Sequence, residues 1–210
     1  MHCAFYNVDT QIDFMEPYGA LYVVGSEKIK TTLLKLTQLA KEKNITVVNT
    51  CDFHDEDAAE FSNTPDFIHT FPRHCVQGEH GFEYIEETTP ELPFVVYKEQ
   101  EEVSGLELNC RNIILRKNQF DVFNGNYMAK KIVDSLPYNA VVYGVATNYC
   151  VDYVVQGLLR LKKKVYVVKD AVKEINGPKE PQTTFSKWKS QGVEILTFQQ
   201  LCGKILKIGG

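Results

Sequence analysis

The sequence predicts an α/β protein built as a three-layer αβα sandwich, with a mainly parallel central sheet covered by helices on both faces. Short, almost wholly apolar runs alternate with stretches of helical periodicity along most of the 210 residues. Those runs show little inside–outside alternation, which marks strands buried on both faces. A chain of this length fits one domain spanning residues 1–210.

Ala4–Asp9 opens the chain as a strand that closes on a carboxylate, and Ile45–Thr50, rich in β-branched residues, is the second. Between them Glu27–Lys43 places Ile29, Leu33, Leu34, Leu36, Leu39 and Ala40 near helical spacing, so the first unit is a βαβ crossover. The alternation then breaks at about 52–102. Asp52–Glu102 carries four of the five histidines and four of the eight prolines, and only Phe94–Tyr97 is strand-like. Loops beyond about 15 residues tend to be functional or disordered. Alternation resumes with strands at Ile113–Leu115, Ala140–Tyr143, Val165–Val168 and Val193–Leu196. Helices are expected near Tyr127–Leu136, Tyr149–Lys163 and Gln182–Gln191, with a closing helix from about Gln199 whose Leu201, Ile205 and Leu206 form an apolar stripe. The Lys162–Lys164 run reads as a helix C-terminal cap, where cations are favoured.

Composition narrows the function classes. With 23 Lys+Arg against 27 Asp+Glu the net charge is −4, so bulk attraction to nucleic acid is not expected. No apolar run approaches the roughly 20 residues of a membrane span, and no basic region with a cleavage site opens the chain. The cytoplasm is the expected compartment. Cysteines at positions 3, 51, 75, 110, 150 and 202 form no Cys-x-x-Cys pair and read as separate reduced thiols.

Ligands of parallel sheets bind at the strands' carboxyl ends, and four features fall there. Asp9 can accept a proton or bind a cation; Asp13, four residues on, reads as a cap. Cys150 follows a small-residue turn beginning at Gly144 and leads into the apolar helix Val151–Leu161. In a first helical turn the dipole lowers a thiol's pKa, so a thiolate nucleophile is expected, with nearby backbone N–H groups as oxyanion donors. The other five cysteines read as small buried apolar residues. Lys117 ends the Ile113–Leu115 strand and draws its significance from its neighbours. Asp52 and His54, two apart in an extended segment, point the same way and can offer oxygen and nitrogen to one cation; His69, His74 or His80 would supply a third ligand.

Asp9, Lys117 and Cys150 resemble the Asp-Lys-Cys triad of the isochorismatase-like cysteine hydrolases, and among them the nicotinamidases. Val8-Asp9-Thr10-Gln11-Ile12-Asp13-Phe14 is similar to the opening Val-Asp-x-Gln-x-Asp-Phe motif of that family. Gly19-Ala20-Leu21 with Val24-Gly25, the nucleophile turn Gly144–Val151, and Lys169-Asp170-Ala171 match further segments. The resemblance implies a Rossmann-like strand order, a cis peptide between Val145 and Ala146, and an oxyanion hole from the N–H groups of Ala146 and Cys150. It also implies a divalent metal, zinc first with iron or manganese as alternatives, held by Asp52, His54 and the His74 of Phe71-Pro72-Arg73-His74-Cys75. Glu60 or Asp66 would be a further acidic ligand. Phe14, Tyr18, Phe71 and Tyr149 would wall a flat ring. Phe53 and Phe71 stand where tryptophan is common, Asn148 where aspartate is frequent, and Asp57–Phe61 lacks a frequent histidine.

The expected function is hydrolysis of a small amide, nicotinamide first, through a thioester on Cys150, with no nucleic acid or membrane partner. An amidohydrolase acting on carbamoyl or ureido substrates is the alternative within the enzymes. A catalytically silent ligand- or protein-binding member is the alternative of another class. Relatives often self-associate, so a homo-oligomer is compatible.

Overall fold

A computed structural model describes residues 1–102, 110–175 and 181–206. One parallel sheet organises them: β1 (Cys3–Val8), β2 (Val47–Asp52), β3 (Phe94–Val96), β4 (Asn112–Lys117), β5 (Asn139–Val145), β6 (Lys164–Lys173) and β7 (Glu194–Leu196). Their spatial order is β3-β4-β2-β1-β5-β6-β7. Apart from the edge strand β3, that is the doubly wound order 3-2-1-4-5-6, whose direction reverses between β1 and β5. A crevice at the carboxyl ends of β1 and β5 follows from this topology.

The two faces are made by alternate residues of each strand. Phe5 and Cys3 point to a layer containing Leu33, Leu36 and Ala40 of α2 (Lys30–Glu42) and Leu201 of α7 (Phe198–Leu206). Ala4, Tyr6 and Val8 point to the opposite layer. That layer holds Ile132 and Val133 of α4 (Ala129–Ser135), Val151, Val154 and Leu158 of α5 (Cys150–Arg160), and Trp188 of α6 (Pro181–Ser190). Burying each such aliphatic side chain contributes about 1.5–3 kcal/mol. The closing stripe is core rather than a free face: Leu201 is fully buried and Ile205 packs against it, while the Leu206 side chain lies outside the described residues. No described helix is long and apolar enough to cross a membrane.

Element boundaries depart from local periodicity in instructive ways. Single-turn helices α1 (Ile12–Met15) and α3 (Val122–Gly125) are too short to show a repeat. β6 runs five residues past the expected Val168, because its pairing with β5 resumes beyond a register shift at Val142/Gly144. Asp170, exposed in that shift, accepts hydrogen bonds from Phe198 N at 2.9 and 3.2 Å and so caps α7. Gly144 has φ +116°, and a Cβ there would lie 2.1 Å from the Val8 carbonyl oxygen, so only glycine lets β1 and β5 close at the crevice.

The lysine run serves two helices. Lys162 (φ 57°) ends α5 in a left-handed turn, with Lys162 N bonding Leu159 O and Lys163 N bonding Leu158 O, the Schellman pattern. The Lys163 ammonium donates instead to Leu136 O at 2.7 Å, capping α4. Lys162→Gly is expected to raise stability by about 1 kcal/mol, since glycine adopts this conformation without the Cβ clash; urea unfolding checks it.

The 52–102 segment is an ordered excursion from the end of β2. Isolated bridges His54↔Val76, Phe61↔Phe71 and Gln11↔Tyr84 and 3-10 turns at His80–Phe82 and Glu86–Thr88 precede its return as β3.

Candidate active site

Asp9 follows β1 in a left-handed conformation (φ 47°) that turns the chain out of the sheet at the crevice. Its Oδ1 accepts a hydrogen bond from Thr50 Oγ1 at 2.5 Å, and its Oδ2 lies 2.9 Å from Lys117 Nζ. Lys117, the last residue of β4, is fully buried and reaches across to Asp52 Oδ1 at 3.2 Å and Cys150 Sγ at 3.7 Å. Cys150 is the first residue of α5, where its backbone N–H has no intrahelical acceptor. The Val145–Ala146 peptide before it is cis, as the resemblance implied. One buried ammonium on β4 thus gathers two carboxylates and a thiol from the ends of β1 and β2 and the start of α5.

Charge decides the protonation states. Burial alone would pull the Lys117 pKa down, but the Asp52 and Asp9 carboxylates overcome it and hold it well above the usual lysine value. Burial pushes the Asp52 carboxyl up, whereas Lys117 and the adjacent imidazoles of His54 and His74 prevail and hold it well below the carboxylate range. Cys150 corrects the expectation of a thiolate. Burial drives its pKa well above the ordinary thiol value; Lys117 opposes this, and Asp9 and Asp52 add to the rise. The resting site therefore holds a neutral thiol beside a charged lysine.

Asp52 also faces a second cluster. Its Oδ2 lies 3.4 Å from His54 Nε2 and 3.3 Å from His74 Nε2, and the three ligand atoms fall within 4.8 Å of one another. His74 Nδ1 is engaged with Pro72 O at 2.8 Å, leaving Nε2 to face the cluster, while buried His54 Nε2 has no hydrogen-bond partner. Zinc bonds of about 2.0–2.1 Å give tetrahedral edges of about 3.3–3.4 Å, so the donor set and spacing fit a divalent cation. Glu60 Oε1 stands 3.5 Å from His54 Nε2 and 3.7 Å from His74 Nε2. Asp66 is elsewhere: its Oδ1 accepts from the N–H groups of Ile68, His69 and Thr70 at 2.8–2.9 Å, bonds that hold its carboxyl well below the usual range. Of the two acids, Glu60 is the one that stands beside the imidazoles. Burial would lower the His74 pKa, but Asp52 raises it above the ordinary value, so protons compete with a cation there. His80 pairs with Glu83 in solvent, and His69 lies exposed at the cavity rim.

Both clusters open into one cavity of about 630 Å³. Phe14, Phe71 and Tyr149 line it as expected, whereas Tyr18 does not and is 71% exposed. Phe120 and Tyr153 were not foreseen: their rings stack at 6.2 Å and 14° beside Tyr149 and Phe71. Thr50 was missed as well, although its register position opposite Val8 places it beside Asp9. Asn148, in the aspartate position, uses both amide atoms to hold the Ile175 backbone, at 3.1 and 3.2 Å, against the cavity wall.

A thiol, a carboxylate and an ammonium at the switch point of a parallel sheet belong to the α/β hydrolytic enzymes. A family model described as Isochorismatase domain matches residues 3–200, and the chain is a member of the isochorismatase family of hydrolases. It is 28% identical over 159 residues to the nicotinamidase/pyrazinamidase of Mycobacterium tuberculosis, covering 73% of this chain and 76% of that one. Among solved structures it is similar to the pyrazinamidase of Pyrococcus horikoshii in complex with zinc, at 28% identity and TM-score 0.73, covering 94% and 99% of the two chains. The fold of the N-carbamoylsarcosine amidase of Thermoplasma acidophilum is shared too, at 19% identity and TM-score 0.69 over 94% and 97%.

Proposed function

We propose that the protein is a metal-dependent cysteine amidohydrolase whose first substrate is nicotinamide, converted to nicotinate and ammonia, a reaction of pyridine nucleotide salvage. The observation that carries this reading is one cavity lined by Cys150 and Asp9, which buried Lys117 joins from behind, and by Asp52, His54 and His74. Asp9 takes the Cys150 proton as the sulfur attacks the carboxamide carbon, which makes the neutral resting thiol a reactant and not an obstacle. Backbone N–H groups of Ala146 and Cys150 receive the oxyanion. Asp9 returns the proton to departing ammonia, then removes one from the water that releases the acid from its thioester. Throughout, Lys117 remains charged and balances the carboxylates.

Asp52, His54 and His74, with Glu60 beside them, would hold a divalent metal, zinc before iron or manganese. When bound, that ion would supply a Lewis acid for a ring nitrogen or for water. Phe14, Phe71, Tyr149 and the unforeseen Phe120 and Tyr153 offer apolar walls to a flat ring. A carbamoyl or ureido substrate is the second reading, favoured by the carboxamides of Asn118 and Gln119 on the cavity lining.

Ammonia release from nicotinamide, pyrazinamide and N-carbamoyl compounds, with and without chelator, tests both readings. Nicotinamide turnover that is abolished by chelation and restored by zinc is the expected result. Absence of turnover with zinc present overturns the first reading, and release from carbamoyl compounds alone selects the second.

A further inference from the structure

The opening motif contains polar side chains to which the reaction assigns nothing, Gln11 and Asp13 among them. Their surroundings are specific. β1 pairs with β2 only as far as Val8↔Thr50, whereas β2 continues alongside β4 to Asp52↔Lys117. Past Val8 the β1 side of Asp52 has therefore lost its strand partner, and a buried backbone edge needs another. Gln11 takes that place. Its Oε1 accepts from Asp52 N at 2.7 Å, and its Nε2 donates to Asp52 O and to Phe82 O, each at 2.9 Å. The fully buried carboxamide thus acts as a one-residue extension of β1.

Asp13 does the equivalent for the other arm of the cluster. Its Oδ2 accepts from Cys75 N at 2.7 Å and its Oδ1 from Ala20 N at 3.0 Å. Cys75 directly follows His74 and is itself in a left-handed conformation (φ 46°), so this bond fixes the turn that aims the imidazole. A Cβ on Gly81 would lie 2.2 Å from Asp13 Oδ2, which shows how closely the chain is packed around the carboxylate. Phe14, the next residue, sets its ring edge against His74 at 5.8 Å between centroids.

We propose that Gln11 and Asp13 are positioning residues for the metal site: one turn, beginning two residues after Asp9, holds the backbone of Asp52 with one side chain and that of Cys75 with the other. The proposal rests on the reading of Asp52, His54 and His74 as ligands. It assigns the short motif a joint task, because the segment that carries the proton acceptor also sets the spacing of the ligands. Outer partners of this kind tune metal affinity by 10–100-fold.

Zinc affinity of the folded protein, measured by competition with a chromophoric chelator, tests it in Gln11→Met and Asp13→Asn. Gln11→Met removes all three bonds. Asp13→Asn keeps one acceptor and turns an amide toward the other N–H. Each is expected to weaken zinc binding 10–100-fold and to shift the visible bands of the cobalt-substituted protein, a signature of altered ligand geometry. Leu33→Ala, in the core under α2, is the control that lowers Tm without changing zinc affinity. If Gln11→Met does not fold, Asp13→Asn decides, because Asp13 is only half-buried. A lowered Tm with wild-type zinc affinity and unshifted cobalt bands overturns the positioning role. A wild-type protein that binds no zinc overturns the ligand assignment itself, which separates the two failures.

Discussion

Cys150→Ala is expected to cut amide turnover by at least about 10⁴-fold while leaving the fold and zinc binding unchanged. The thiol lies 3.7 Å from Lys117 Nζ, and loss of a covalent nucleophile removes the main path, leaving only the contribution of the oxyanion donors and binding. Alanine fits the space without strain because Cys150 is buried at the start of α5. The same residue carries a pH prediction. Burial and the two carboxylates raise its pKa well above the ordinary thiol value, so at neutral pH its thiolate fraction is smaller than that of a free cysteine. Iodoacetamide should label it slowly in the metal-free protein, at a rate still climbing above pH 9. Labelling that reaches its plateau below pH 8 would contradict the neutral resting thiol; retained turnover in Cys150→Ala would remove the nucleophile assignment.

Lys117→Met should be a severely damaging substitution for stability, costing about 3–5 kcal/mol, because it takes the counter-ion from Asp9 Oδ2 and from the Asp52 oxygen that faces away from the histidines. Lys117 is fully buried, with Asp9 Oδ2 at 2.9 Å and Asp52 Oδ1 at 3.2 Å. Methionine nearly conserves the volume, so the loss reports charge and not a cavity. For a chain of this length the corresponding fall in Tm is roughly 6–20 °C. The sign with pH follows from the shifts. Lys117, raised in the folded state, contributes fully below the ordinary lysine pKa and loses its contribution only above it; Asp52, lowered, contributes above the ordinary carboxyl pKa and loses it only in stronger acid. Wild-type stability from this cluster is therefore constant through neutral pH. In the variant Asp52 loses the ammonium that holds its carboxyl low, so it protonates at a higher pH and the deficit should shrink as pH falls from 7.5 to 5. Urea unfolding at the two pH values measures it, and a deficit below 1 kcal/mol at pH 7.5 would contradict the buried ion cluster.

The alternation of apolar runs with helical spacing made the layers legible; Asp9 and Lys117 near strand ends and Cys150 at a helix start stood out with them, and the resemblance to an Asp-Lys-Cys triad joined the three. These are local signals: a side chain's face follows from its place in a strand or helix. Where several segments meet, the signal is absent. Phe120 and Tyr153 stack only because β4 ends and α5 begins on the same rim, and Tyr18, equally aromatic in the sequence, lies in solvent. Glu60 and Asp66 look alike as acids of one loop, yet Asp66 is consumed by its own turn while Glu60 faces two imidazoles.

Cys150 shows the division most clearly. Its place at a helix start, visible in the sequence, predicts a lowered pKa from the dipole. In the folded chain burial and carboxylates from the ends of β1 and β2 outweigh that effect together with Lys117. The sequence alone determined the longer alternating elements, the layers they favour and which side chains stand near strand ends, because these depend on neighbours within a few residues. The tertiary structure alone decided the protonation of the thiol, the acid beside the histidines and the use of Gln11 and Asp13. Each depends on distances of about 3–4 Å between groups dozens of residues apart, and on the dielectric that burial creates around them.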